Sequence, residues 1–177
     1  MEGFDQERWR AHVGPRDPIS IPIRRGEAVA QKRSVARPSV WHVIRALGAL
    51  AVLAVGAIHL HEYLKLYSAI PTIGTLFVLN FVGATVIGLG LLAPLERLMG
   101  RWGSVAVVLL ALGAIGLAAT AFAFLTISEH TPLFGFMEPG YDPSGILASR
   151  IAEGATVVLL GTFLGARVAT RAPAGRW

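Results

Sequence analysis

Four long apolar stretches constrain the fold of this 177-residue chain more than any other feature. Each would be about 33–37 Å long as an α-helix, and the hydrocarbon core of a bilayer is about 30 Å thick. Backbone groups in lipid must pair within their own segment, and none of the stretches shows the alternation of barrel strands. The sequence therefore predicts an all-α polytopic membrane protein, a bundle of four transmembrane helices at about 43–64, 72–93, 103–127 and 145–168.

The overall composition agrees with a membrane protein. Hydrophobic residues make up 54% of the chain and charged residues 15%, against about 25% charged residues in an ordinary soluble domain. The chain has no cysteine, which excludes disulfides, thiolate nucleophiles, iron–sulfur clusters and covalently attached haem.

The apolar stretches divide the chain into three regions. Residues 1–40 are basic and interrupted by proline, so we expect a disordered cytoplasmic tail. Residues 41–170 form the predicted transmembrane domain, and residues 171–177 a second short cytoplasmic tail. The first apolar stretch begins only after residue 40, too late for the apolar region of a cleavable signal peptide, so we expect it to be retained. Pro71, Pro94 and Asp142 are suited to the helix boundaries.

The distribution of basic residues predicts the orientation. Fourteen of the 16 Lys and Arg residues lie in the two tails, at the adjoining helix ends or near residues 97–101, and only Lys65 and Arg150 lie at the other side. The positive-inside rule therefore predicts that both termini are cytoplasmic. The Arg-rich composition is typical of a bacterial genome rich in G and C, which indicates the plasma (inner) membrane of a bacterium.

The basic residues also suggest what the chain contacts. The basic N-terminal tail is expected to attract anionic lipids of the bilayer. Nucleic-acid binding is not expected, because the sequence has no nucleic-acid-binding motif and its basic residues flank membrane helices.

Small residues at helical spacing predict where the helices pack closely. Gly161 and Gly165 form a G-x-x-x-G pattern on the fourth helix, and Gly48 and Gly56 share a face of the first. Small side chains allow membrane helices to approach each other. Asn80 is a further polar packing residue, near the middle of the second helix.

Ionisable residues near the outer ends of the first and fourth helices predict a polar cluster. Glu153 lies roughly 13 Å below the outer end of its helix, and Arg150 lies one turn outward on the same face. A charge inside a bilayer costs about 2.5–3.5 kcal/mol, so such groups need partners. We expect the cluster to contain His59, Glu62, Tyr63, Arg150 and Glu153, with His130 and Glu138 at its rim.

Three interpretations of this cluster remain open. In the first, Arg150 and Glu153 form a structural ion pair that orients the first and fourth helices. Alternatively it holds a metal or haem, for which His59, Glu62 and His130 are weak candidate ligands, as no Glu-x-x-His element occurs. The third interpretation is a small proton-coupled transporter that works as an oligomer, with Glu153 as the titrating group.

Four sequence segments carry resemblances to two membrane families. The stretch from His59 through Ile70 to Asn80, together with residues 134–138 (FGFME), resembles uncharacterised four-helix membrane proteins of actinobacterial type. More distantly, residues 45–48 (RALG) and 56–59 (GAIH) resemble the first helix of the DoxX-like family. The DoxX-like family is often linked to respiratory or thiol-redox machinery. The resemblance to the actinobacterial-type proteins implies no activity.

The sequence thus predicts a non-enzymatic membrane component or accessory subunit. A membrane-protein partner or a homo-oligomer is expected, and no cofactor is predicted.

Overall fold

The computed structural model describes residues 39–170. The long helices, α1, α2, α4 and α5, are each long and apolar enough to cross a membrane, and they begin and end close to the predicted spans. A short helix, α3, lies between α2 and α4 and was not predicted. The predicted tails, 1–40 and 171–177, lie outside the described residues except for residues 39 and 40. The helices are α1 Val40–Lys65, α2 Pro71–Leu92, α3 Leu95–Met99, α4 Arg101–Ser128 and α5 Pro143–Ala169.

The helix boundaries follow from local sequence. Pro71 occupies the first turn of α2, where its missing N–H costs nothing. Pro94 follows the end of α2 and precedes α3. Asp142 caps α5, its side chain accepting hydrogen bonds from the backbone N–H groups of Ser144 and Gly145. A single 3₁₀ turn, Tyr67–Ala69, connects α1 to α2.

The four long helices form a ring. Helix α1 packs against α2 and α5, and α4 packs against the other sides of α2 and α5, so that α1 and α4 lie diagonally opposite. We call the end with residues 66–70 and 129–142 the loop end, and the end with residues 93–100 the tail end. The interior of the ring differs between these two ends in the polarity of its side chains.

The apolar core lies in the half nearer the tail end. It contains only apolar residues, most of them with no exposed surface, and α1, α2, α4 and α5 all contribute. Interior polar and charged side chains lie mainly in the half nearer the loop end. The core residues are Ala49, Val52, Ala84, Leu91, Val107, Ala111, Ala114, Leu160 and Phe163.

Glycines of α1 permit close packing, as the sequence predicts. A methyl group added at Gly48 would lie 2.5 Å from Leu160 of α5, and one at Gly56 would lie 2.9 Å from the Cβ of Ala84 in α2. Both distances are shorter than carbon atoms tolerate, because the optimum lies near 3.5–4.0 Å. At Gly48 the Leu160 side chain would have to shift to admit a methyl group, whereas at Gly56 the helices themselves would have to move apart.

The predicted close packing through Gly161 and Gly165 is wrong for this bundle. Both glycines are exposed, and an added methyl group at either would meet no atom of the described residues within 4 Å. The packed face of α5 instead carries Thr156, Leu160 and Phe163. The physical reason is that a glycine on one helix suffices: Leu160 is a large side chain seated against Gly48, so α5 needs no small residue there.

The tail end is tied together by one acidic residue of α3. Glu96 pairs with Arg45 of α1 at 3.3 Å and with Arg167 of α5 at 3.0 Å. Arg167 also donates to the Ser104 hydroxyl of α4 at 2.5 Å. Glu96 therefore joins α3 to α1 and α5, and Arg167 in turn links α5 to α4.

Candidate functional site: a cavity at the loop end

A cavity of about 530 Å³ lies in the half of the bundle nearer the loop end. Pockets for small organic molecules typically measure about 300–1,000 Å³. The wall is mainly apolar, with a few polar and acidic groups. Its residues are His59, Glu62, Tyr67, Ile73, Leu76, Phe77, Leu79, Asn80, Gly113, Gly116, Leu117, Thr120, Ala121, Phe124, Leu125, Ser128, Leu133, Phe136, Glu138, Asp142, Gly145, Ile146, Ser149 and Glu153.

Glu153 is the most deeply buried charged residue of this wall. Only 1% of its surface is exposed, because it lies on the face of α5 that packs toward α1. Its Oε1 atom lies 4.0 Å from Nε2 of His59, the nearest basic atom paired with it. Its Oε2 atom has no hydrogen-bond donor among the described residues. A buried carboxylate oxygen without a donor is costly, so this atom needs an explanation.

His59 faces Glu153 from α1 and is itself 8% exposed. Its Nδ1 atom lies 2.9 Å from the backbone carbonyl of Val55, one turn earlier. A carbonyl only accepts hydrogen bonds, so Nδ1 carries the proton in this contact. In the neutral imidazole, Nε2 is therefore an acceptor, and at 4.0 Å it is too far from Glu153 for a direct hydrogen bond.

Asn80 supplies a third polar group from α2. Its Oδ1 atom is buried and has no hydrogen-bond partner among the described residues. The sequence predicts Asn80 as a polar packing residue near mid-membrane, and the structure places it on the cavity wall. Three of the four long helices that line the cavity thus each contribute at least one buried acceptor.

Two further carboxylates at the loop end are already held by local contacts. Glu138 accepts the hydroxyl of Tyr67 on one oxygen and the N–H groups of Gly140 and Tyr141 on the other. Burial, followed by the hydrogen bond to Glu138, raises the pKa of Tyr67 above its usual range. The Glu138 carboxylate therefore folds residues 138–141 and fixes them to the 3₁₀ turn.

Asp142 is the second of these carboxylates. Hydrogen bonds from Lys65 first, then from Ser144 and Gly145, hold the pKa of Asp142 well below its usual range. It both caps α5 and joins that helix to the end of α1. Asp142 is thus engaged in holding the two helices together.

Glu62 lies at the same end, one turn from His59 on α1, and is 6% exposed. A methyl group added at Gly145 would lie 2.5 Å from Glu62 Oε1. Only glycine therefore lets this carboxylate approach the first turn of α5. The N-terminus of a helix carries partial positive charge, which favours a carboxylate at this position.

The expected ion pair between Arg150 and Glu153 is not what the structure contains. Arg150 instead donates to Glu129, with 2.5 Å between Nη2 and Oε2, and it does not line the cavity. Arginine extends its long side chain toward the polar boundary when one is within reach. Arg150 lies one turn nearer the loop end than Glu153 and therefore pairs with the loop residue.

Two other predicted members of the cluster lie outside the cavity wall. Tyr63 is half-buried, and its ring packs close to Gly74 of α2, 3.2 Å from where a Cβ atom there would be. His130 is exposed and bonds to the backbone carbonyl of Thr126, one turn earlier on α4. Of the two predicted rim residues, Glu138 lines the cavity and His130 does not.

Several wall residues were not expected from the sequence. Residues 129–142 fold back over the bundle, so that Leu133 and Phe136 line the cavity. The ring of Tyr67 stacks on Phe77 at 4.7 Å and meets Phe136 edge-on at 5.8 Å. Phe77 also contacts the His59 ring at 5.0 Å. For the loop residues, the available sequence signal was the apolar segment at residues 133–137 (LFGFM).

The predicted metal or haem ligands are only partly brought together. His59 and Glu62 both line the cavity, whereas His130 lies outside it. Within residues 39–170, no group of three or more His, Asp or Glu side chains is arranged to hold a metal ion. A metal or haem site therefore remains a prediction from the sequence.

Comparison with protein-family models, with curated proteins and with solved structures finds no match to this chain. The resemblances to four-helix and DoxX-like families therefore also remain predictions. Conclusions about function rest on the geometry of the cavity.

Proposed function

We propose that this chain is a non-enzymatic membrane protein that binds a small amphiphilic molecule in the cavity at the loop end. The observation that carries the proposal is the combination of an apolar wall with the buried, donor-free Oε2 atom of Glu153. Small-molecule sites typically pair an apolar wall with a few buried polar groups that fix the orientation of the ligand. As a ligand-binding component, the chain would serve as an accessory subunit or act alone.

The arrangement of the bundle supports this proposal. The half nearer the tail end is filled by apolar side chains, whereas α4 carries small residues such as Gly113, Gly116 and Ala121 along the cavity. A methyl group added at Gly116 would meet nothing within 4 Å. The wall is thus shaped by small side chains on α4 as well as by the loop above it.

A steric block tests the proposal. Gly116→Leu places a side chain on the cavity wall without touching an ionisable group. Gly161→Leu is the matched control, because Gly161 is equally uncrowded but does not line the cavity. The assay is isothermal titration of the full chain in lipid nanodiscs with 4-phenylbutan-1-ol, corrected by nanodiscs without protein. We expect binding to the unmodified chain and Gly161→Leu, and at least about 10-fold weaker binding to Gly116→Leu. Equal heats in all three samples and in protein-free nanodiscs would contradict the proposal.

The orientation that we propose places both termini in the cytoplasm of a bacterium and the cavity in the outer half of its plasma membrane. The bias of Lys and Arg toward the tails supports it. The chain has no cysteine, so in a single-cysteine variant all maleimide labelling of the chain reports on the introduced residue. An impermeant maleimide added to intact cells should label Thr131→Cys at the loop end and leave Ser39→Cys unlabelled until the cells are opened. The reverse pattern would show that the orientation is inverted.

A second candidate function is proton-coupled transport by an oligomer. The observation that favours it is the pair of titratable groups, His59 and Glu153, buried side by side. Proteoliposomes loaded with a pH-sensitive dye would reveal proton flux under an imposed gradient. Flux that disappears in Glu153→Gln, with assembly unchanged, would favour transport over binding alone.

A further inference from the structure

The hydrogen-bonding groups around the cavity indicate the chemical class of its ligand, an inference that rests on the proposed binding function. The Oε2 atom of Glu153 and the Oδ1 atom of Asn80 both lack donors among the described residues. Nε2 of His59 is an acceptor in the neutral ring, because Nδ1 is committed to Val55. These three groups line one cavity and call for hydrogen-bond donors.

The charges around the cavity have the same sign. Four carboxylates, Glu62, Glu138, Asp142 and Glu153, line it, and none of the described residues in its wall is Lys or Arg. Lys65 pairs with the wall residue Asp142, and Arg150 pairs with Glu129 through Nη2. The Nε atom of Arg150 is buried without a hydrogen-bond partner among the described residues, but Arg150 does not line the cavity. Glu153 is therefore left with His59 as its only ionisable neighbour within 4.0 Å among the described residues.

Aromatic rings lie beside these acceptors. Phe77 contacts both the His59 ring and the Tyr67 ring, and Phe136 closes the group from the loop. The negative faces of aromatic rings attract cations within about 6 Å of the ring centre. The remainder of the wall is apolar and suits a hydrocarbon body.

We propose that the ligand is an amphiphile with a protonated primary amine as its head and an apolar body. The ammonium group has three N–H donors and one positive charge, and it accepts nothing. Its three donors match the acceptors that the wall offers at Glu153, His59 and Asn80, and its charge would offset the buried carboxylate. A neutral alcohol has one donor, and a carboxylate has none. A quaternary ammonium has the charge without any N–H.

The test compares ligands that share one carbon skeleton. The probes are 4-phenylbutylamine, 4-phenylbutan-1-ol, 4-phenylbutyltrimethylammonium and 4-phenylbutyrate, each titrated at pH 7 into the full chain in nanodiscs. Hydrogen bonds to charged groups are about twice as strong as neutral ones, so we expect the amine to bind at least about 10-fold more tightly than the alcohol. The trimethylammonium compound should bind more weakly than the amine, and the carboxylate should bind least.

Two variants identify the group responsible. Glu153→Gln keeps the shape of the side chain and should reduce the preference for amine over alcohol to near unity, while alcohol binding persists. Glu96→Gln is the matched control, because it removes an acid at the tail end, outside the cavity. It should leave the preference unchanged.

The outcomes separate the ligand class from the binding function. If amine and alcohol bind equally to the unmodified chain and both are lost in Gly116→Leu, the cavity binds amphiphiles and the amine proposal fails. A preference that survives in Glu153→Gln would also refute it. If all four probes give only the heat of protein-free nanodiscs, the binding function itself fails. The comparison of ligands on the unmodified chain decides the amine proposal even if Glu153→Gln does not fold.

Discussion

The close approach of α1 and α2 at Gly56 gives the sharpest test of the packing. In Gly56→Ala the new methyl carbon would lie 2.9 Å from the Cβ of Ala84 and 3.3 Å from the carbonyl oxygen of Phe81. Neither atom can rotate away, because one is attached directly to the backbone and the other belongs to it. The helices would have to separate by about 0.6–1 Å to restore carbon–carbon contact at 3.5–4.0 Å.

The expected magnitude follows from two opposing effects. Overpacking of a well-packed interior costs typically 1–3 kcal/mol. Replacing glycine by alanine within a helix contributes about 0.5–1 kcal/mol of stability. Gly56→Ala should therefore lower the free energy of unfolding by up to about 2.5 kcal/mol. Gly161→Ala, which meets no neighbour, should leave it unchanged or raise it by up to about 1 kcal/mol.

Reversible unfolding in bicelles, titrated with a denaturing detergent and followed by circular dichroism, measures both variants against the unmodified chain. The difference between the two alanine variants is the informative quantity, because helix propensity contributes similarly to each. Variants of equal stability would refute the reasoning that α1 and α2 meet through Gly56. A destabilised Gly161→Ala would instead point to a contact of that glycine with another chain.

Three further predictions concern the polar contacts. Tyr67→Phe removes the hydroxyl that donates to the Glu138 carboxylate and should lower the free energy of unfolding by about 1.5–3 kcal/mol, measured as above. Tyr141→Phe, at an exposed position, should have no effect. Asp142→Asn should lower the thermal stability at pH 7. The pKa of Asp142 is depressed in the folded chain, so the stability from its charge is present above the ordinary value of 3.8 and is lost as the pH falls through the folded-state pKa. The stability gap to Asp142→Asn should therefore narrow in acid, and a gap that widens there would contradict the assignment. Glu96→Gln should cost at most about 1 kcal/mol for each of its two partly exposed arginine pairs, and a larger loss in the unfolding titration would show that those pairs are better shielded from solvent.

The polar residues illustrate how far sequence reasoning reaches. Helical periodicity and depth placed His59 and Glu153 on inward faces, and the structure brings them within 4.0 Å. The pairing of Arg150 could not be derived in this way, because two acids can accept its hydrogen bonds: Glu153, one turn away on the same helix, and Glu129, in a loop distant in sequence. A flexible side chain selects among partners by their positions in space.

The cavity lay beyond sequence reasoning for a related reason. On α4, Gly116 borders open space, whereas a Cβ atom at Gly113 would lie 3.5 Å from the Ile87 side chain, in ordinary contact. Whether a small residue marks a contact or a cavity depends on what the facing helix presents at that level. At Gly48 the facing residue is Leu160, whereas no neighbouring atom approaches Gly116.

The sequence by itself determined the four apolar helices, their approximate ends and the identity of the interior acids, because hydropathy and helical period are local properties of the chain. Only the tertiary structure decided which face of α5 packs, which groups pair and where the interior stays open. Those outcomes depend on how side chains distant in sequence fill a shared volume, and no single segment carries that information.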